Sequence, residues 1–173
     1  AERQLANENR VLDLLAEEVA LPQILRIVAQ MCQQEIASDA GIAIFLRQDA
    51  TYVLAAADQV DAALQRHWVD VPIAASLVGD TAVFADALGV IDRTTLIETI
   101  RGSDDAILGQ LVALVSSPPR APTALRPLLH TYAALAGMAI HRSAIGERIR
   151  LASSVFQNAL EGIVVTDAFG RIV

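Results

Sequence analysis

An α+β domain, a central antiparallel sheet flanked by helices with long connector helices at both ends, is predicted by three features of this 173-residue sequence. Apolar residues recur at helical spacing near both ends of the chain. Between them lie short apolar or alternating runs separated by polar turns, as antiparallel hairpins require. Hydrophobic residues make up 54% of the chain and aromatics only 4%, so the core must be built from Leu, Ile, Val and Ala, which suits helices packed on a sheet.

The opening segment, Glu2 to Ala20, sets Leu5, Leu12 and Val19 one heptad apart, with Leu15 at the companion position. Glu8 breaks the second seam, so the pattern predicts a short amphipathic helix that pairs with another helix and no long coiled coil. Leu21-Pro22 marks a break, because proline suits a first helical turn and not a helix interior. A second helix follows to about Ile36, with Ile24, Leu25, Val28, Met31, Cys32 and Ile36 wide enough to bury one side against a sheet. Ser38-Asp39-Ala40-Gly41 then changes the pattern to strand: Gly41 to Arg47 and Tyr52 to Ala57 are apolar runs joined by Gln48-Asp49-Ala50-Thr51. A third strand is expected at Trp68 to Ile73, then a short helix near Leu77 to Phe84 and a short strand at Leu88 to Ile91. Thr94 to Ile100 and Ile107 to Val115 form the clearest hairpin, turned by Gly102-Ser103-Asp104-Asp105. Ser117 to Pro122 stops the sheet. Thr123 is placed to cap a helix from Ala124 to about Leu160, packing through Leu125, Leu128, Leu129, Tyr132, Leu135, Ala139, Ile145, Ile149 and Phe156.

Charge and cysteine usage exclude several functions. A net charge of −7 and a pI of about 4.8 repel phosphate backbones, so neither nucleic acid nor an anionic membrane is an expected partner. Every basic residue is arginine, a coding bias of GC-rich bacterial genomes. The single cysteine, Cys32, allows no internal disulfide and no cysteine zinc cluster, which suits a reducing cytoplasm. No apolar run approaches the roughly 20 residues of a membrane helix. The chain reads as a piece of something longer, starting without methionine and ending after an apolar run.

The candidate chemistry is sparse. His130 and His141 lie eleven residues apart on one predicted helix, too far to chelate one ion, and His67 stands beside Trp68 before a strand; no metal site is expected. The adjacent carboxylates Glu17-Glu18 and Asp104-Asp105 diverge or sit at a solvated turn, whereas acid–base catalysis needs groups converging on one substrate. Ser76, Ser103, Ser116 and Ser117 have no nucleophile-elbow context, and Gly79-Asp80-Thr81 lacks the lysine of a phosphate loop. No catalytic residue is expected, and no cofactor is evident.

Three stretches resemble the GAF family of sensory domains over most of residues 10 to 145. Asn9 to Ala16 followed by Leu21-Pro22-Gln23-Ile24-Leu25 is similar to that family's helical entrance in bacterial signalling enzymes, Ala40 to Leu46 to its first strand, and Ile100 to Leu111 to its closing hairpin. The tail, Val155 to Val173, resembles the first helix and hairpin of a PAS domain. The resemblance implies a connector helix over 1–20, a GAF-like domain over 21–145, and a linker helix with the first part of a PAS domain over 146–173. A GAF-then-PAS order looks like bacterial cyclic-di-GMP synthases and phosphodiesterases, and less often sensor histidine kinases. It implies a cytoplasmic regulatory module that is itself no enzyme. The chain departs from the family at Ala74 to Arg93, which is short; with no lysine for the asparagine-lysine-phenylalanine-aspartate-glutamate signature and no chromophore cysteine, neither cyclic-nucleotide nor bilin binding by the usual route is expected. A small-molecule ligand would sit between the sheet and this segment, against Tyr52, Trp68, Phe84 and Thr99. A homodimer would form through the terminal helices, with Leu5, Leu12 and Leu135 facing the partner. The rival expectation is a ligand-free structural dimerisation module.

Overall fold

The computed structural model describes residues 2–17, 19–37, 39–49, 51–68, 70–72, 81–90, 94–116 and 122–158. It divides into two units, Ala1–His141 and Arg142–Val173. The first unit opens with helices α1 (Glu2–Ala16) and α2 (Leu21–Ile36). α1 ends a turn before the predicted Ala20. Pro22 occupies the first turn of α2, where its missing N–H leaves no intrahelical bond unmade. All six apolar residues predicted to bury one side of α2 are buried, Cys32 among them. Burial pushes the Cys32 thiol well above its ordinary range, with the Glu35 carboxylate adding to the shift, so the group is an inert core side chain.

The sheet has five strands, β1 (Gly41–Gln48), β2 (Thr51–Asp58), β3 (Asp70–Pro72), β4 (Thr94–Arg101) and β5 (Ile107–Val115), in the order β3-β2-β1-β5-β4 with antiparallel neighbours. The two predicted hairpins are present within two residues of their expected ends, and β5 of the second docks against β1 of the first. Asp49 and Asp105 turn them in the left-handed region, at φ 51° and 62°, which aspartate tolerates better than most residues.

The middle of the chain differs from expectation. Helix α3 (Ala62–His67) precedes Trp68; Asp61 caps it, its Oδ1 accepting the Ala63 N–H at 2.6 Å. The third strand is therefore short, Asp70–Pro72, with Val69 and Ile73 outside the described residues. Leu88 does not begin a strand. It closes helix α4 (Thr81–Leu88), and Gly89, at φ 66°, ends the helix in the left-handed conformation common after a last turn. Ile91, and Leu77 to Asp80 of the expected short helix, lie outside the described residues.

Helix α5 (Pro122–Asn158) starts at its proline, so Thr123 lies within the first turn and is not its cap. Leu125, Leu129, Tyr132, Leu135 and Ala139 are buried. Ile145 and Ile149, predicted on the same packing side, are 45% and 64% exposed. The apolar phase explains the split: continuing the Tyr132–Ala139 row by four and seven residues reaches Ser143 and Gly146. In the second unit, described over 142–158, Arg150 forks onto Glu147 at 2.8 and 3.0 Å and holds that exposed carboxyl below its ordinary value. The PAS-like residues from 159 onward lie outside the described residues.

Both faces of the sheet are covered. Ile42, Ile44, Leu111, Ala113 and Val115 face α1, α2 and α5 in one apolar cluster; Ala43, Phe45, Val112 and Leu114 face a second cluster with Trp68, Phe84 and Leu88. Strands buried on both sides lose their polar alternation, which is why β1 and β5 read as continuous apolar runs. Two glycines permit the close packing: a Cβ on Gly109 would land on the Phe45 carbonyl of β1, and one on Gly137 would land on the Arg101 carbonyl at the end of β4.

Candidate functional site

Three of the four residues predicted to line a ligand site come together in the second cluster. Tyr52 on β2, Trp68 after α3 and Phe84 on α4 are each 1% exposed or less. Tyr52 and Phe84 meet edge-on with ring centroids 4.9 Å apart. Phe45, which the sequence did not single out, is the hub, 5.2 Å from Phe84 and 5.7 Å from Trp68. Its only signal was an aromatic side chain in an apolar strand. The Trp68 Nε1–H donates to the Leu88 carbonyl at 3.0 Å, tying the indole to the end of α4.

Thr99 joins this group at its polar side. It is opposite Gln110 across β4 and β5, and its Oγ1 donates to Gln110 Oε1 at 3.3 Å. Gln110, wholly buried, donates from Nε2 to the Tyr52 hydroxyl at 3.4 Å. The result is a polar relay, Thr99–Gln110–Tyr52, laid beside a cluster of rings. Such a pairing of flat apolar surface with a few fixed polar atoms is what a small-molecule site needs. Here the rings touch one another and Gln110 is partnered. The sequence signal for Gln110 is a lone amide in an otherwise apolar strand.

The predicted partner-facing residues divide. Leu5 and Leu12 are 61% and 49% exposed on α1, while Leu135 is buried within this chain's own first cluster. The partner face therefore cannot include Leu135 as the chain is folded. The helix phase puts it beside Tyr132 and Ala139, on the side that covers the sheet.

Beneath α1 a polar cluster links three helices. Asn7 Nδ2 donates to Glu35 Oε1 at 2.7 Å and to the Tyr132 hydroxyl at 2.9 Å, and that hydroxyl donates to Glu35 Oε1 at 2.8 Å. Burial pushes the Tyr132 hydroxyl well above its ordinary value, and its bond to Glu35 adds to the shift. The raised value means that the ionised form is disfavoured in the fold. The stabilisation is thus full below the ordinary tyrosine pKa of about 10 and is lost as pH rises from there towards the folded value. Tyr132→Phe is expected to lower stability by about 1–2 kcal/mol at neutral pH. In urea titrations its gap from the parent should shrink above about pH 10; a gap that stays constant would refute the assignment.

The three histidines do not converge on one another among the described residues. His67 and His141 are exposed, and His130 pairs with Glu98 at 3.0 Å. Among the described residues no group of three or more His, Cys, Asp or Glu could hold a metal ion, and no helix is long and apolar enough to cross a membrane. The described residues also line surface grooves. One of about 220 Å³ lies between the start of α2 and the β1–β2 hairpin, and one of about 260 Å³ lies between β4 and α5.

Comparison with known proteins places the architecture. No family model matches the sequence, and no curated protein does. Solved structures do match. A GAF domain from an Acinetobacter phosphoenolpyruvate-protein phosphotransferase is 19% identical at a TM-score of 0.56, over 83% of this chain and 97% of that one. The GAF domain of a putative sensor histidine kinase from Pseudomonas syringae pv. tomato is 16% identical at 0.58, over 86% and 92%. A phycoerythrobilin-bound GAF domain from a cyanobacterial phytochrome is 12% identical at 0.59, over 83% and 97%. At these identities the likeness is one of fold: the chain has the GAF fold.

Proposed function

We propose that this GAF-fold chain is a sensory and dimerisation module of a bacterial signal-transduction protein, one that positions an output enzyme and catalyses nothing itself. The observation that carries the reading is the display of apolar side chains on both terminal helices of a sensory fold. Leu5 and Leu12 stand exposed one heptad apart on α1, and Ile145 and Ile149 stand exposed one turn apart on α5. Exposed leucines and isoleucines at these spacings suit helix pairing between two copies, whose packed arrangements are discrete and so can carry a two-state signal.

The aromatic group of Tyr52, Trp68 and Phe84 with Thr99 is the sensing site in this proposal. Its close ring contacts favour a second reading, a ligand-free dimerisation module. For the output, the resemblance of the sequence to a GAF-then-PAS order favours a cyclic-di-GMP synthase or phosphodiesterase. The sensor histidine kinase among the matched structures is the alternative. Native mass spectrometry of the purified chain tests the module. A dimer carrying a discrete extra mass is the expected result, a clean dimer supports the ligand-free reading, and a monomer overturns both. Leu12→Glu should convert the dimer to monomer with the fold retained.

A further inference from the structure

Helix α1 leaves its two leucine positions outward and turns a polar residue inward. Counted at about 100° per residue, Leu12 and Leu5 stand about 100° and 120° to one side of Val11, and Asn7 and Leu14 about 40° and 60° to the other. Val11 is buried and Leu14 half-buried, while Leu5 and Leu12 are 61% and 49% exposed. A roll of α1 about its own axis by roughly 60° would turn those two leucines inward at the expense of one. Apolar burial among these four residues therefore favours the roll.

What opposes it is polar. Asn7 Nδ2 donates to Glu35 Oε1 on α2 and to the Tyr132 hydroxyl on α5, and that hydroxyl donates to the same Glu35 oxygen. The three groups close a ring that joins α1, α2 and α5, and Tyr132, 1% exposed, is its fixed point. Apolar burial is indifferent to direction, whereas a hydrogen bond needs its donor in one place. The same roll would carry Asn7 away from both acceptors. We propose that this ring sets the rotational phase of α1 and so keeps Leu5 and Leu12 turned outward, as the surface that a second copy meets. The inference rests on the helix pairing proposed above, and Asn7 is a positioning residue for that pairing, acting through the two leucines. Polar groups that select one packing among near-equals have the same role in coiled coils.

Asn7→Asp tests the proposal, because it removes both donors and sets a carboxylate against that of Glu35. Methyl NMR of the labelled 173-residue chain with a soluble gadolinium chelate reads which leucines face water. In the variant, relaxation should rise at the Leu14 methyls and not at those of Leu12. By analytical ultracentrifugation the dimer dissociation constant should rise about tenfold or more. Adding Glu35→Gln supplies an amide donor to the new carboxylate and should restore the parent pattern. Unchanged methyls in Asn7→Asp would overturn the proposal, since the ring would then add stability without selecting a phase. So would a rise at Leu12 and Leu14 together, because α1 would have come away from the domain instead of turning. A turned helix with an unchanged dissociation constant would overturn the interface role. If the parent chain is itself a monomer, the pairing fails, and the methyls still decide the phase.

Discussion

Trp68→Ala lowers folding stability by about 3–5 kcal/mol, the range for removing a large buried aromatic side chain. The side chain is wholly buried, stacks at a tilt against Phe45, and leaves the Leu88 carbonyl without its donor when removed. Urea titration followed by far-ultraviolet circular dichroism measures it, since the variant has lost the chain's only tryptophan. Trp68→Phe separates the two contributions, keeping most of the packing while losing the hydrogen bond, and should cost about 1–2 kcal/mol. A cost below about 1 kcal/mol for the alanine variant would mean that the neighbours already have room to close over the site. That result would contradict the packed cluster and return weight to an adaptable ligand site.

Gly109→Ala is expected to cost about 3 kcal/mol or more, although it adds one methyl group. The added carbon would land on the main-chain carbonyl of Phe45. No rotamer change can relieve a clash with backbone, so β1 and β5 must separate. Thermal unfolding should show a fall of well over 5 °C, by the usual conversion of about 4–8 °C per kcal/mol in domains of up to about 100 residues, and somewhat less per kcal/mol in a larger one. Gly146→Ala is the control. A methyl there meets nothing within 4 Å on an exposed part of α5, and helix propensity favours alanine by about 1 kcal/mol. A similar loss in both variants would refute the close-approach argument.

The sequence carried the hairpins and the outer helices because each has a periodic signal that local chemistry enforces. β1–β2 and β4–β5 stand out as apolar runs around turns that contain aspartate, and the buried face of α2 is legible residue by residue. α3 escaped because six residues give less than two turns of periodicity, although Asp61 before Ala62-Ala63-Leu64 is a cap signal. The apolar neighbours of Leu88 suggest a strand, yet Gly89 is the stop signal of a helix. In α5 the apolar row changes phase after Ala139, so spacing alone sets Ile145 and Ile149 with the core residues although both are exposed. At the site, Tyr52, Trp68 and Phe84 were legible as bulky groups in a chain poor in aromatics. Their hub Phe45 and the relay through Gln110 depend on cross-strand register, which sequence spacing does not report.

Among the described side chains of α1, Val11 alone is buried, and Asn7 supplies the polar contacts to Glu35 and Tyr132. The helix is thus fastened by apolar contact through Val11 with half-buried Leu14, and by polar contact through Asn7, one turn before Val11. The polar fastening is intolerant of slippage, because Asn7 must reach a carboxylate and a hydroxyl at once. A half-seated α1 loses both bonds while Glu35 and Tyr132 keep each other. Such a fastening favours two states for α1, seated or released, over a continuum of part-seated ones.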